Sequence, residues 1–547
     1  MLASTRNGHG ARVVDHWEII SRHTPLVTLG PALEWPGSCL YTDVAASMRA
    51  TFFAWCLGVA ATVLCSTVLA AGNTANTGSF WTQKSLVKGV ELAGSVSALS
   101  LEAVVVPTAS IEKETGEDVP YLLYLSEEEH NALSSLVVVA EPATGAPAGS
   151  ATARFEWPKS IGQIEGVNKT AMYALGIPRD LMNGVEPITI KAMARLVHST
   201  RPLPASIDQG EQQLLLYEGD AGVRTPYETG SSVVHVKCPT NNIVSTSPKG
   251  SRSGTSVTFG PYTNVAPWTA ASTAPLARVH YGYNRPLITF VDFERHVEVS
   301  HWGDNMATED RIWMRNDGAK LNGHFVRSKH MLDKFMEQPD SFMLESTVLQ
   351  LPQGVQGVYF VDDIGNVSTS ALRAEPSGST RPSRLEVTPR FPLAGGWNYT
   401  FMLGWNQRLS ENGIAQRVPA QGPNRVRITV PFLPGMRSTA VDHARLRVVL
   451  PEGAKQISVY PAFEMDSVTT STHTSYLDTT GRPAVVLERA KCTALHAQPV
   501  YVEYTISPLD HLRKPIAVTV AALCVFVLSA VMRRLKLGVP AERTTKT

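Results

Sequence analysis

The sequence has 547 residues, a net charge of +1 and 43% apolar residues. That near-neutral globular balance excludes a chain that binds nucleic acid through bulk charge, and the length allows roughly three or four domains of about 150 residues. Cys56, Cys65 and Cys524 lie in apolar runs and Cys39 lies near the N-terminus, so Cys238 and Cys492 alone serve the body of the protein; a disulfide scaffold is excluded and at most a single bridge is possible.

Residues 1–47 hold Pro25, Pro31 and Pro36 among scattered charges, without sustained periodicity. They read as an upstream leader, unstructured or preceding the true start, with Met48 as the working start. Residues 48–70 have the form of a signal peptide. Arg49 supplies the positive start, an apolar core follows, and the small residues Val68 and Ala70 allow cleavage after Ala70. An uncleaved signal anchor is the alternative, but the apolar run is short for one.

Residues 71–290 read as a first lumenal, β-rich domain. Strand patterns around 85–106, 187–199 and 232–238 dominate it. Ser126 with Glu129 makes a capping-box pattern that opens a short helix. Residues 240–274 are rich in Ser, Thr, Asn, Gly and Pro and read as a long loop, most mobile at 247–256.

Residues 291–512 read as a second lumenal domain, almost entirely β. Val426, Ile428 and Val430 alternate with Arg425, Arg427 and Thr429; Val500, Val502, Tyr504 and Ile506 alternate with Tyr501, Glu503 and Thr505. Period two with one polar face predicts antiparallel strands that are wet on one side. Asn412-Gly413, Pro451-Glu452-Gly453 and Gly481-Arg482-Pro483 supply turns. No repeat of fixed short period is visible.

Residues 515–532 form an apolar run long enough to span about 27 Å as a helix, close to the thickness of the endoplasmic reticulum bilayer. With a cleaved signal, this predicts a type I membrane protein: body in the lumen, residues 533–547 in the cytosol. Ala517, Ala521, Ala522, Ser529 and Ala530 permit close helix approach, so the span is expected to dock as well as anchor.

Three N-glycosylation acceptors are present: Asn168-Lys169-Thr170, Asn366-Val367-Ser368 and Asn398-Tyr399-Thr400. Asn366 follows the turn Asp362-Asp363-Ile364-Gly365. Asn398 falls on a strand whose aromatic residues, Trp397, Tyr399 and Phe401, point inward, so Asn398 faces solvent.

The sequence lacks the zinc-protease, Cys-x-x-Cys, nucleophile-elbow and P-loop motifs. His296 and Glu298 share one strand face and His301 takes the other, so they do not chelate together. Asp362 and Asp363 read as turn residues rather than calcium ligands. Glu127, Glu128 and Glu129 beside His130 read as a solvated first helical turn rather than an acid–base group.

Several ordered stretches carry a family resemblance. "LLLYEGDAGVRTPY" at 214–227 and "FGPYTNVAPW" at 259–268 stand in the first half; "VHYGYNRPLITF" at 279–290 and "VEVSHWGD" at 297–304 follow. "DDIGNVSTS" at 362–370, "PRFPLAGGW" at 389–397, "LPEGAK" at 450–455 and "YLDTTGRP" at 476–483 complete the series. Together they resemble the ribophorin I family, a subunit of the oligosaccharyltransferase complex, over roughly residues 73–534. The resemblance implies two tandem β-rich lumenal domains on one membrane helix in the endoplasmic reticulum. It implies a non-catalytic subunit without cofactor or metal, in a complex that moves a preassembled oligosaccharide from a dolichol-linked donor to asparagines of nascent chains. Implied partners are the catalytic and accessory subunits, nascent polypeptides and the translocon. The 15-residue tail departs from members with a long cytosolic tail. The competing readings are a cell-surface adhesion or receptor ectodomain and, more distantly, a membrane-anchored hydrolase. Retention of high-mannose glycans separates the first from a resident of the reticulum.

Overall fold

The computed structural model describes residues 80–535, apart from 109–117, 143–151, 157, 159, 164–169, 183–186, 270, 271, 274, 337–341, 420, 421, 423, 437, 476 and 477. The leader 1–47, the signal peptide 48–70 with Ala70, Asn168 and most of the tail lie outside the described residues. The described chain is mainly β, with short helices and one long apolar helix, Arg513–Arg534.

Strand Trp81–Ala93 shows how alternation builds the first half. Trp81, Gln83, Leu86, Val90 and Leu92 are buried, whereas Thr82, Lys84 and Glu91 are exposed. Lys88 takes a buried position and pairs with Glu129. Glu129 also completes the expected capping box: it accepts from Ser126 N at 3.1 Å, and its own N–H donates to Ser126 Oγ at 3.1 Å. The helix Glu127–Asn131 therefore forms where the sequence places it.

Among the described residues the strands make two eight-stranded sheets with matching plans. The first is built on the antiparallel hairpin Trp81–Ala93 and Val96–Pro107, the second on Ile288–Ser300 and Asn305–Asn316. In each, the first hairpin strand pairs in parallel with a strand from much later in the chain, Thr229–Lys237 or Ala440–Val449. Each half adds a three-stranded and a four-stranded sheet whose strands follow the same order along the chain. The molecule thus repeats one topology twice. One apolar core gathers residues from Phe80 to Leu287 and another gathers residues from Ile288 to Ile506.

The two halves are stitched by buried amides. Gln213 Nε2 donates to the carbonyls of Tyr283 and Arg285 at 3.0 and 2.9 Å, and its Oε1 accepts from Ala319 N at 2.8 Å. Asn316 Nδ2 donates to the carbonyls of Phe342 and Leu393, and its Oδ1 accepts from Leu287 N and Gly318 N. A small third core, with Ile207, Ala319, Phe342, Met343 and Ala394, lies beside them.

Three features differ from the sequence reading. Residues 240–274 carry strands Ile243–Ser247, Ser251–Ser253 and Ser256–Val265 rather than one loop. Their Ser and Thr reflect exposure at a sheet edge, not absence of pairing: Ser251–Ser253 is wholly exposed yet laddered to Ser256–Thr258, with Gly254 at φ +59° in the turn. Glu503, assigned to a wet face, is fully buried because Arg425 and Arg427 of the neighbouring strand close over it. The helix Arg327–Phe335 interrupts the β pattern and leaves Met331, Leu332 and Phe335 exposed, so no inward stripe announces it. Cys238 and Cys492 are free, buried thiols in separate cores. Burial pushes them up to about 11 and about 12, which leaves little thiolate at neutral pH.

Candidate functional site

Asn366 and Asn398, each the first residue of an Asn-x-Ser/Thr sequence, lie toward one end of the second large sheet, on strands separated by Gln356–Asp362. Asn366 ends the hairpin in which Gln356–Asp362 pairs with Gly365–Asn366. Its side chain is exposed, and its carbonyl accepts from Arg390 at 3.0 Å. Asn398 opens the strand Asn398–Arg408 and faces solvent, opposite Arg315. The other neighbour of this strand stops at the Asp362–Phe401 pair, so Asn398 lies beyond that ladder. Tyr399, next to Asn398, donates to Asp362 Oδ2 at 3.2 Å and so joins the two acceptor segments.

Asp362 is the centre of this arrangement and is saturated. Its Oδ1 accepts from Ile364 N and Gly365 N at 3.0 and 3.1 Å, and Arg390 bonds both carboxylate oxygens. The Arg390 guanidinium, helped by the turn amides, holds the Asp362 carboxyl below the usual range. These bonds make a turn, not a proton-transfer group. Asp363 follows in the same turn. The sequence signal for Arg390 lay in the "PRFPLAGGW" stretch, but nothing local connected it to Asp362.

The histidines separate, but His301 lies in the turn after the strand Ile288–Ser300 rather than on the strand's opposite face. His296 Nε2 stands 3.4 Å from Glu298 Oε1. His296 and then Arg482 hold Glu298 down to about 2. His301 instead meets the Tyr504 hydroxyl at 2.6 Å, and burial, with His511 beside it, lowers its pKa. Glu129 is committed to Lys88 and the helix cap, and His130 to the Tyr173 hydroxyl at 2.6 Å. Among the described residues, no group of three or more His, Cys, Asp or Glu side chains could hold a metal ion.

The base of the second half was not legible in the sequence. Trp302, in the turn after strand Ile288–Ser300, donates from Nε1 to the His511 carbonyl at 2.8 Å. The capped turn Pro508–His511 leads directly into the apolar helix. Lys514, on that helix, pairs with the buried Asp478 at 2.6 Å, and Arg513 pairs with Asp510 at 2.8 Å. A tryptophan in a polar turn gave a signal only in hindsight: an exposed aromatic ring beside the segment that enters the apolar helix.

Residues 81–533 match the family described as Ribophorin I. Similar proteins include the dolichyl-diphosphooligosaccharide–protein glycosyltransferase subunit 1B of Oryza sativa subsp. japonica, 33% identical across 62% of this chain and 69% of that protein. The subunit 1B of Arabidopsis thaliana is 31% identical across 68% of this chain and 76% of its own length. Subunit 1 of Caenorhabditis elegans is 30% identical across 68% of this chain and 61% of its own length. Among solved structures, an M1 zinc metallopeptidase of Deinococcus radiodurans covers 39% of this chain and 42% of its own at 12% identity; its TM-score of 0.23 carries no argument.

Proposed function

The chain belongs to the ribophorin I family, and from that premise we propose that it is an accessory, non-catalytic subunit of the complex that transfers oligosaccharide from a dolichol-linked donor to asparagines of nascent chains. The observation that carries this reading is the family match through both halves and the apolar helix, residues 81–533. The chemistry supports it. Three of the acidic side chains singled out in the sequence, Asp362, Glu298 and Glu129, are held by arginine, lysine or turn amides. A carboxylate bound in that way is a poor general base, because its proton affinity has been lowered by its partners.

In this reading residues 71–290 and 291–512 are two lumenal domains. Residues 515–532 cross the membrane of the endoplasmic reticulum, and 533–547 lie in the cytosol. The signal at 48–70 is removed after Ala70. The partners are the catalytic and accessory subunits, with the nascent chain and the translocon as neighbours. The chain stabilises the complex and holds acceptor segments in place, and it carries glycans itself at Asn366, Asn398 and Asn168.

The test is oligosaccharide transfer to an acceptor peptide by complexes that carry Asp362→Ala or His301→Ala. Normally assembled complexes should retain transfer. Abolished transfer in an intact complex would place the chemistry in this chain and overturn the accessory role. Failure of the chain to copurify with glycosyltransferase subunits in mild detergent would overturn membership of the complex.

A further inference from the structure

The two large sheets share one plan but finish differently at the edge beyond their parallel pairing. In the first sheet the edge strand is Ser251–Ser253, only three residues long, and Arg252 donates from it to the Ile243 carbonyl at 2.9 Å. In the second the strand at the same place in the order is Ser467–His473. Its seven residues pair with Arg482–Glu488 without a bulge. Residues 468–472 are all exposed, Val468 by 51%.

The backbone of this longer edge is half used. The Pro483 carbonyl accepts from Leu450 N at 2.9 Å, so Pro483 turns its backbone toward the strand Ala440–Val449 and its continuation. By the alternation of an antiparallel ladder, Val485 and Leu487 do the same. Their partners Val468, Thr470 and Thr472 therefore turn N–H and C=O away from the sheet. Among the described residues nothing bonds to these outward groups. Proteins ordinarily blunt an open edge with charge, proline, a bulge or cover. Other edges of this molecule do so: Pro202 ends Thr200–Pro202, a register shift breaks Lys455–Tyr460, and Gln350 in Thr347–Leu351 is bridged to Gly435. Ser467–His473 has no Lys, Arg, Asp, Glu or Pro, and its Thr and Val residues favour an extended chain. Asp466, just before it, is spent on Arg489 at 2.7 Å.

We propose that Ser467–His473 is a docking edge for an extended segment of an acceptor polypeptide, which adds to the sheet as a further strand through the backbone of Val468, Thr470 and Thr472. The inference rests on the reading of this chain as a subunit that holds acceptor segments, and gives that reading a place. Three features select the occupant. Outward amides and carbonyls in alternation bind an extended backbone whatever its side chains, as a client of variable sequence requires. The small hydroxyl side chains of the edge offer no anchor pocket of the kind that a dedicated subunit fills. The edge is about 24 Å long. One strand added along it buries well under the about 1,200 Å² of a lasting interface, which fits a transient peptide and not a second copy of the chain or a permanent partner.

The test uses the intact complex in detergent and a synthetic acceptor peptide with one Asn-x-Thr sequence and a photoreactive benzoylphenylalanine. Irradiation should attach the peptide within residues 467–473, located by mass spectrometry. The same peptide methylated on every amide should attach there on the order of tenfold less, because it has lost the donors that pair with the edge. Thr470→Pro should lower the yield by a similar factor. It removes one outward N–H and puts a ring in the path of the incoming strand, but spares the bonds to Arg482–Glu488. Thr470→Val, which keeps the backbone, should leave the yield unchanged. The methylated peptide decides the matter on the unaltered chain. Attachment that survives methylation, or that falls only outside residues 467–473, overturns the docking edge. A benzoylphenylalanine placed at Thr469 of the peptide-free complex should capture neither another subunit nor a second copy; capture of either also overturns it. Copurification separates the two layers of the argument. A chain that assembles with glycosyltransferase subunits but shows no attachment at the edge overturns the docking edge alone, whereas one that does not assemble overturns the accessory reading and the docking edge with it.

Discussion

Replacing Arg295 with Met should destabilise the second half more than any surface substitution. Arg295 and Asp310 are 2% and 0% exposed, and the guanidinium donates from Nε and Nη2 to the two carboxylate oxygens at 2.6 Å each. Its remaining Nη1 donates to the Pro431 carbonyl at 2.7 Å, which ties the large sheet to the four-stranded one. Phe293 and Trp405 flank the charge, each 5.4 Å from ring centroid to guanidinium carbon. Arg295→Met fills much of the volume but leaves the Asp310 carboxyl, whose pKa burial already raises, without its partner, at a cost of about 3–5 kcal/mol. Adding Asp310→Leu removes the orphaned carboxyl and should recover about 2–3 kcal/mol, since an apolar pair often replaces a buried ion pair with little loss. Urea unfolding of the detergent-solubilised chain, followed by tryptophan fluorescence, reads this as a shift in midpoint at constant slope. The reasoning fails if the single variant loses less than about 1 kcal/mol, or if the double variant is no more stable than the single.

Asn366→Gln should remove one glycan and speed migration on a gel; an unshifted band would show that its exposed turn does not make it an acceptor. Glu503→Gln should flatten the acid limb of the stability profile. Burial raises the Glu503 pKa, but Arg427 and Arg425 outweigh it, so the folded value lies below the ordinary 4.5; its contribution is complete above that value and is lost as pH falls through the folded one. An acid limb identical in wild type and variant would remove this assignment. Exchanging residues 515–532 for an unrelated span of equal length should weaken copurification with the complex, because Ala517, Ala521, Ala522, Ser529 and Ala530 would be lost as a close-packing surface. Unchanged recovery in detergent would reduce the span to an anchor.

What was local was legible. The capping box at Ser126 and Glu129 identified its helix because both partners lie within one turn. Period-two alternation found strands such as Arg425–Pro431 and Pro499–Thr505, because each carries its burial pattern in its own residues. The same rule misplaced Glu503, because the arginines that bury it belong to another strand. It also missed the hairpin at 251–258, where backbone pairing holds an exposed edge. The duplication of topology left no mark visible along the chain, since its defining feature is a parallel pairing between strands such as Trp81–Ala93 and Thr229–Lys237, far apart in sequence. At Asp362 the turn was readable from Asp-Asp-Ile-Gly, but the saturation that argues against catalysis needed Arg390 and Tyr399 in space.

The repeated topology gives the accessory role a physical basis. In the first half, the hairpin end and the buried amides of Gln213 and Asn316 fix the chain that enters the second half. In the second half, the equivalent hairpin end fixes the chain that enters the apolar helix, through Trp302 and the His511 carbonyl. Lys514 and Arg513 add two ion pairs across that junction. Each connection therefore leaves little rotational freedom, because it is held by several bonds on different segments rather than by one linker. A subunit that works by positioning needs this stiffness more than it needs reactive groups. The same logic explains why buried charges such as Arg295, Asp310 and Glu503 are spent on internal partners.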